Sequence, residues 1–443
     1  MSQAKSTPPP MSSSQWFVLL LLAMVQFTNV LDFVIMMPLA PQFHDEWNLT
    51  AREFGFLVSA YAYAAALSGI ISSWFIDKID RKVALLGIYL VFAIANFLCA
   101  EAPSYGFMLG ARAVAGLSGG ILGGVVMAIV GDIVPFARRG MATGIIMSSF
   151  AVASIVGIPF GLVMAEQYSW RITFFGLAAL SLILLAFAWW RLPAVRSHIV
   201  QKPRQAPWKT TWDILSDPNH IRAYTLMAFL IMTTFIIVPY MPSFFVANVG
   251  LRKEDIKWIY LCGGLGTLLT MTPIGRLADR YGKLRVFQVL AFLAMFPLLG
   301  VTHLPPVPLY VVLIVTTSMM IFTAGRGVPA MAMVTACTTS ERRGGFMSVL
   351  GAVQQLAMGL ATTVGGIILG VQALPEQPDM TKEAIGKLGP IEQIHGFPIV
   401  GWIAAVLCLM SVYLGSRLRS VEMHTVPKEE IAPDEAILAV EIT

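Results

Sequence analysis

Long apolar runs interrupt the chain at intervals, and they constrain its fold more than any other feature. Each run holds at least 18 residues almost free of charge, enough for a helix to cross roughly 30 Å of hydrocarbon. Lipid offers no hydrogen-bond partners to an open backbone, so such runs must be helical. They lie at 16–40, 54–76, 83–102, 105–130, 141–164, 172–190, 223–245, 256–278, 284–301, 307–336, 346–370 and 397–418. The sequence therefore predicts an all-α integral membrane protein with twelve transmembrane helices.

The composition supports the same conclusion. Apolar residues make up 57% of the 443 residues and charged residues only 12%, whereas about a quarter of a soluble domain is charged. The net charge of +5 is spread over many loops rather than clustered on one face, which argues against nucleic-acid binding. The four cysteines lie in or beside apolar runs without metal-ligand spacing, and we interpret them as packing residues.

The positions of Lys and Arg predict the orientation of the chain. If both ends lie on one side of the membrane, 21 of the 30 Lys and Arg residues fall on that side and seven on the other. The remaining two, Arg112 and Arg326, lie within apolar runs. Cytoplasmic loops retain positive charge, so we expect both termini in the cytoplasm and the protein in the plasma membrane, which in a bacterium is the inner membrane.

A polar segment with several prolines separates two sets of six helices. Similar residues recur on either side of it at nearly one offset: Pro38 matches Pro239, Asp77 matches Asp279, and Arg138 matches Arg342. Two parallel halves related by an axis along the membrane normal are a transporter architecture, with substrate bound between them near the midplane. The predicted organisation is a cytoplasmic tail at 1–15, a six-helix bundle at 16–190, a cytoplasmic linker at 191–222, a second bundle at 223–418 and a cytoplasmic tail at 419–443.

Five short motifs are distributed over the two halves. They are Leu31-Asp32 with Pro38, Ser73-x-x-x-Asp77 with Arg81 and Lys82, Arg112-x-x-x-Gly116, Gly157-Ile158-Pro159-Phe160-Gly161, and Gly275-x-x-x-Asp279-Arg280-x-Gly282. Together with Trp170-Arg171 and Phe174, they resemble the motifs of the major facilitator superfamily, most closely its twelve-helix drug–proton antiporters of the arabinose-efflux-permease group. The resemblance implies two pseudo-symmetric six-helix bundles.

The resemblance also implies roles in conformational change. Asp77 and Asp279 would each accept hydrogen bonds from a neighbouring helix start and latch the outward-open state; ordinary solvated loop charge is the alternative. In the first half, Ser73 and Asp80 stand where the family has glycine, so we expect the loop geometry there to differ. The residues assigned to conformational change are Asp77, Arg81, Lys82, Gly275, Asp279, Arg280, Gly282, Gly157, Pro159 and Gly161.

Asp32 lies within the first apolar run with no basic residue beside it in the sequence. A carboxylate inside the membrane is costly and faces a cavity or a partner, which makes it a functional candidate. Arg112 of the fourth run is the natural partner, because its guanidinium stays charged and has five donors. The resemblance ties both positions to proton coupling. A static ion pair, or an Asp that locks helices together by hydrogen bonds, is the alternative.

Other polar residues within the runs are candidates for a substrate cavity. Gln26 and Asn29 precede Asp32 at spacings of three, so the first helix has one polar face. That face lines an aqueous cavity or forms interhelical hydrogen bonds. Arg326 could bind an anionic substrate, pair with a carboxylate or lie near a cytoplasmic entrance. The candidates of the second half are Tyr240, Arg326, Gln354 and Gln355.

Small residues and helix signals refine this picture. Glycines spaced four apart in the fourth run predict a close approach between helices; they are Gly116, Gly120 and Gly124, and Gly119 with Gly123. Pro159 removes one backbone donor from the fifth helix, which predicts a bend that serves alternating access or a proline that the membrane tolerates. Thr50 and Glu53 have the spacing of a capping box, although Asn48-Leu49-Thr50 also matches a glycosylation acceptor.

These features favour proton-coupled efflux of a small molecule by alternating access. A proton symporter or facilitator for uptake of a sugar or organic anion, and a membrane sensor that moves nothing, are alternatives. The sequence lacks a nucleophile–base pair, a metal-ligand cluster and a phosphate-binding loop at usable spacing. We therefore expect no enzyme, no metal and no cofactor besides the proton gradient. The expected partners are a small-molecule substrate, protons and the lipid bilayer around a monomer.

Overall fold

The computed structural model describes residues 11–72, 79–135, 138–193, 216–339, 343–373 and 392–419. Within these ranges, twelve long helices run back and forth. They are α1 Ser13–Ile35, α2 Ala51–Ser72, α3 Arg81–Ala100, α4 Tyr105–Ile133, α5 Arg139–Gln167, α6 Trp170–Arg191, α7 Pro218–Phe235, α8 Ile256–Tyr281, α9 Lys283–Thr302, α10 Leu309–Thr335, α11 Arg343–Ile368 and α12 Phe397–Ser416. Ten of these described helices are long and apolar enough to cross a membrane; α7 starts with a polar turn, and α8 carries charges at both ends.

Successive helices alternate in direction, so α1 begins and α12 ends on one face of the molecule, here called the terminus face. On that face, Gln15 donates from its side-chain amide to the Ile133 carbonyl at 3.2 Å, which joins the start of α1 to the end of α4. The loops that follow α1 and α7 lie on the other face, here called the opposite face. Two short antiparallel strands, β1 Gly370–Ala373 and β2 Glu392–His395, also lie there, between α11 and α12.

Polar caps place several helix ends outside the predicted apolar runs. Ser12 and Gln15 form a capping box, so α1 begins three residues before the predicted start. The Asp217 carboxylate accepts from the Asn219 amide at 2.7 Å, so α7 begins at Pro218 rather than at residue 223. An apolar pattern marks only the part of a helix that lies in hydrocarbon, whereas the cap determines where the backbone first turns.

The capping box predicted at the start of α2 is confirmed. The Glu53 carboxylate accepts from the Thr50 amide at 2.9 Å, and the Glu53 amide donates to the Thr50 hydroxyl at 3.2 Å. These contacts satisfy donors that the first turn of a helix otherwise leaves open, and they fix the start of α2 on the opposite face.

The first helix of each half breaks at an equivalent place. The sequence predicted one helix from 16 to 40, but α1 ends at Ile35 and a short helix, Ala40–Trp47, follows after a turn. In the second half α7 ends at Phe235, and Met241–Phe244 follows after a similar turn. Pro38 and Pro239 lie in these turns, because proline cannot donate a backbone hydrogen bond. The residues in both turns are apolar, so the hydropathy of the sequence did not indicate the breaks.

Glycines in α4 allow its backbone to touch that of α2. A Cβ added at Gly116 would collide with the Tyr61 carbonyl, and one added at Gly120 would collide with the Ala65 carbonyl. The close approach predicted from the glycine spacing is therefore confirmed at these two positions. Gly124 has no atom within 4 Å of such a Cβ, so the contact ends before the helix reaches the terminus face.

We expect Gly116→Val to lower the free energy of unfolding by about 3 kcal/mol, because the added atoms meet a backbone carbonyl that cannot rotate away. The measurement is the melting temperature of the purified protein in one detergent. Gly110→Val on the same helix is the matched control, since nothing lies within 4 Å of its Cβ. Equal melting temperatures for the two variants would contradict the close approach of α2 and α4.

The two halves meet where α2 packs against α11 and α5 packs against α8; we call this contact the seam. Near the opposite face, a Cβ at Gly366 of α11 would lie 2.8 Å from the Ala51 carbonyl of α2. Near the middle of the same helices, a Cβ at Gly359 would lie 2.7 Å from the Tyr63 ring. Among the described residues, these contacts extend from the opposite face to the middle of the molecule, so the structure is closed on the opposite face.

Candidate functional site

Asp32 and Arg112 form an ion pair inside the first half. Arg112 donates from Nη1 to Asp32 Oδ1 at 2.7 Å, and both side chains are fully buried. The same Nη1 lies 3.4 Å from the Asp32 carbonyl oxygen. Asp32 precedes the end of α1 by one turn and Arg112 follows the start of α4 by two turns, so the pair lies closer to the opposite face than to the terminus face.

Tyr61 of α2 connects this ion pair to the neighbouring polar residue. The Arg112 guanidinium lies over the Tyr61 ring, 4.7 Å from the ring centroid. The aromatic face attracts the cation in this arrangement. The Tyr61 hydroxyl donates to Asn29 Oδ1 at 3.0 Å, and Asn29 donates to the Gly119 carbonyl at 3.3 Å. Sequence reasoning missed Tyr61; the signal was a tyrosine in the middle of an Ala-rich membrane helix, far from either interface.

Several buried atoms of the site have no hydrogen-bond partner among the described residues. They include Asp32 Oδ2, Arg112 Nε and Nη2, and the side-chain carbonyl oxygen of Gln26. A buried polar atom without a partner costs about 1–3 kcal/mol. Asp32 therefore keeps one oxygen that can accept a proton without first breaking its bond to Arg112.

The predicted residues of the second half do not form a matching ion pair. Arg326 lies at a break in α10, fully buried, and donates to Cys408 Sγ at 2.8 Å and to the Leu230 carbonyl at 3.4 Å. A carboxylate partner was one prediction for Arg326, but no described carboxylate contacts it. Its partners are a thiol and a backbone carbonyl inside the second bundle.

The other candidates of the second half lie on α11 or against it. The Tyr240 hydroxyl donates to the Thr362 carbonyl of α11, and the Tyr240 side chain is buried at the seam. Gln354 and Gln355 are half-buried, and the side-chain carbonyl oxygen of Gln355 has no partner among the described residues. Their role in a substrate cavity stays a prediction.

The two motif loops differ in backbone conformation. Gly282, between α8 and α9, has φ +93°, which favours glycine. Its counterpart Asp80 has φ −54° and instead caps α3, accepting from the Lys82 amide at 2.9 Å. Arg81 starts α3, with Nε 3.5 Å from Asp132 Oδ2 at the end of α4. The loops therefore differ: Gly282 forms a turn with positive φ, whereas Asp80 at the equivalent position caps a helix.

The predicted latch residues are not engaged across the seam in the described part of the chain. Asp279 is exposed, and so is Arg280, whose guanidinium lies 5.3 Å from the Tyr281 ring. Gly275 has no atom within 4 Å of an added Cβ. Asp77 lies outside the described residues. The latch thus stays a prediction about the outward-open state.

The glycines of α5 lie against α1. A π-helical turn, Ala153–Gly157, precedes Pro159, which cannot donate to the preceding turn. A Cβ at Gly157 would lie 2.8 Å from Leu31 Cδ1, and one at Gly161 would lie 2.9 Å from Ile35 Cδ1. The irregular part of α5 therefore packs directly beside the helix that carries Asp32.

Among the described residues, two ion pairs join the halves at the opposite face. Lys257 at the start of α8 lies 2.8 Å from Glu166 near the end of α5, and Lys253 pairs with Asp45. Within the first half, Arg171 lies 2.6 Å from Glu46, which also accepts from the Trp170 indole. The opposite charges of these loops were visible in the sequence, but which loop meets which was not.

Comparison with known proteins places these features in a family context. The sequence model of the Major Facilitator Superfamily matches the chain twice, over residues 22–252 and 223–438. The uncharacterised MFS-type transporter YceJ of Bacillus subtilis (strain 168) is 28% identical over 351 residues, which cover 78% of this chain and 86% of YceJ. The chloramphenicol resistance protein of Streptomyces lividans is 26% identical over 262 residues, which cover 59% of this chain and 66% of that protein.

The fold is also similar to that of a solved transporter. The structure of the D-xylose-proton symporter superposes with a TM-score of 0.71 and covers 92% of this chain and 98% of the symporter. The two sequences are only 14% identical, so the similarity concerns the fold alone.

Proposed function

Because the chain belongs to the Major Facilitator Superfamily, we propose that it exchanges protons for a small molecule and moves that molecule out of the cell. Members of this family are transporters rather than enzymes, so transport across a membrane follows from membership. The coupling to protons, the outward direction and the nature of the substrate are our proposal.

The buried ion pair of Asp32 and Arg112 carries the proposal. A proton that binds Asp32 leaves Arg112 without a counter-charge, and a buried unpaired charge is costly. Protonation therefore favours a state in which the Arg112 guanidinium reaches water or another anion, and loss of the proton restores the pair. The charge of Arg112 thus converts proton binding into a preference for one packing of the helices.

Helix α2 supplies the connection from this pair to the seam. Tyr61 contacts Arg112, and Tyr63, two residues further along α2, has its hydroxyl 3.0 Å from the Thr363 hydroxyl of α11. A shift of α2 that follows protonation of Asp32 would therefore change the contact between the halves directly.

In the proposed cycle, the contact between the two halves opens alternately at the terminus face and at the opposite face. The terminus face corresponds to the cytoplasm in this proposal, because the loops there carry most of the Lys and Arg residues. Opening on the opposite face requires the Glu166–Lys257 and Asp45–Lys253 pairs to separate. The exposed Asp45–Lys253 pair contributes roughly 0.2–1 kcal/mol, whereas Glu166 and Lys257 are only 17% and 23% exposed and form the more shielded of the two contacts.

We further propose that the transporter acts as a monomer in the plasma membrane, with both termini in the cytoplasm and residues 191–222 linking its two bundles. It uses the proton gradient and needs no metal or cofactor. An amphipathic drug is the first substrate class to test, because a relative is named for chloramphenicol resistance.

Purified protein in liposomes that contain a pH-sensitive dye tests this proposal. Addition of chloramphenicol, followed by a panel of amphipathic drugs, sugars and organic anions, should raise the internal pH when a compound enters in exchange for protons. Asp32→Asn should abolish the pH change, whereas Glu101→Gln, at the surface, should retain it. Internal acidification would instead indicate proton symport, and substrate entry without any pH change would indicate a facilitator.

A further inference from the structure

An apolar groove on the lipid-facing side of the second half opens between α7 and α12. Its volume is about 480 Å³, and its lining comprises Thr225, Phe229, Leu409, Met410, Tyr413 and Leu414. Leu409 and Met410 are 49% and 45% exposed, so the described residues do not cover the groove. In a membrane, an apolar surface of this kind is in contact with acyl chains.

The mouth of the groove, on the terminus face, is basic. Arg222 precedes Thr225 by three residues and Phe229 by seven on α7, so these three side chains share one helix face. The Arg417 guanidinium lies 5.2 Å from the ring of Tyr413, which lines the other wall. Arg222 and Arg417 therefore stand at the entrance of an apolar channel that extends about 10 Å from Arg222 to Phe229 at 1.5 Å per residue.

The walls of the mouth are joined to each other. Asn219 donates to the Arg419 carbonyl at 2.8 Å and accepts from the Arg419 amide at 3.0 Å. These two hydrogen bonds between the Asn219 side chain and the Arg419 backbone hold the start of α7 against the end of α12. The mouth is therefore held in a defined geometry before any ligand arrives.

Arg222 and Arg417, at the mouth, have no acidic partner among the described residues. No described carboxylate forms an ion pair with Arg222 or Arg417, and the nearby Asp217 carboxylate already accepts from the backbone at the start of α7. An anion at the mouth would therefore not compete with any of the described carboxylates for these guanidinium groups, which suit phosphate geometry.

We propose that this groove binds an anionic phospholipid. One acyl chain lies along Phe229, Leu409 and Met410, and the phosphate lies at Arg222 and Arg417. A basic site between membrane helices on one leaflet selects anionic headgroups, and the apolar channel holds a chain that a soluble phosphate lacks. The site lies on the outer surface of the second bundle, away from the seam, and it does not depend on the transported substrate.

The test is a titration of the purified full chain with dioleoyl phosphatidylglycerol or dioleoyl phosphatidylcholine, with bound lipid counted by native mass spectrometry. Phosphatidylglycerol should bind at least about tenfold more tightly than phosphatidylcholine. Each of Arg222→Gln and Arg417→Gln should weaken phosphatidylglycerol binding about fivefold, the effect of roughly 1 kcal/mol per basic residue at an anionic surface. The double variant should bind both lipids equally.

Two further variants separate recognition from loss of folding. Arg222→Lys with Arg417→Lys keeps both charges and should retain the preference for phosphatidylglycerol. Arg276→Gln with Arg285→Gln removes two exposed cations near the α8–α9 turn of the same half and should leave the binding of both lipids unchanged. Equal affinity of the native protein for both lipids would overturn the proposal, and so would a preference that survives Arg222→Gln with Arg417→Gln.

Discussion

Asp32→Asn is expected to lower the free energy of unfolding by about 3–5 kcal/mol, because it leaves Arg112 as a buried cation without a counter-charge. Arg112→Gln should destabilise the protein less at low pH than at neutral pH, since a buried carboxylate without a cation can take up a proton. The double variant, Asp32→Asn with Arg112→Gln, should recover most of the lost stability. The measurement is the melting temperature of each variant in the same detergent at two pH values.

The control for this set of variants is Asp45→Asn, which removes the ion pair between Asp45 and Lys253. The side chains of Asp45 and Lys253 are 57% and 41% exposed. Loss of such a pair should change the free energy of unfolding by roughly 0.2–1 kcal/mol. The variant Asp32→Asn with Arg112→Gln could instead lose as much free energy of unfolding as its two single variants lose together. That result would show that Asp32 and Arg112 do not act as a unit.

The same double variant separates stability from coupling. It should fold well but move no protons when substrate is added, because no carboxylate remains at the site to carry them. If it still exchanged protons for substrate, the coupling group would have to be another residue. A stable protein without proton exchange is therefore the result that the proposed role of Asp32 requires.

The sequence predicted the parts of this fold that depend on apolar periodicity and on local chemistry. Helix number and order follow from hydropathy, and the capping box at Thr50 and Glu53 follows from two side chains three residues apart. The pairing of Asp32 with Arg112 could also be anticipated, because a buried charge needs an opposite charge and few were available within the runs. Each of these inferences depends on one apolar run or on one or two side chains.

Contacts that depend on packing were not predictable. Arg326 was expected to meet a carboxylate as one alternative, yet its partners are the Cys408 thiol and the Leu230 carbonyl. A sequence shows which groups can pair but not which of them a bundle brings within 3 Å. The breaks after α1 and α7 were also not predicted. Pro38 and Pro239 lie among apolar residues, so hydropathy alone does not distinguish these turns from continuous helix.

Linking α5 to α8 across the seam should block transport. In the variant Glu166→Cys with Lys257→Cys, a short reversible bifunctional thiol reagent would join two positions whose native side chains lie 2.8 Å apart. The linked protein cannot open on the opposite face, so we expect substrate-dependent proton movement to fall to about a tenth or less and to return after reduction. Hydrogen–deuterium exchange of α2 and α11 near that face should slow in the linked protein, and this readout needs no substrate.

The matched control is Glu46→Cys with Arg171→Cys, which removes a pair of similar length on the same face, 2.6 Å apart, but within the first half. A link at this position holds together helices that move as one body in the proposed cycle. It should therefore leave both proton movement and hydrogen exchange at the level of its own reduced form. If the two links had the same effect, the α5–α8 contact would not be the part of the seam that opens, and the cycle would need a different moving element.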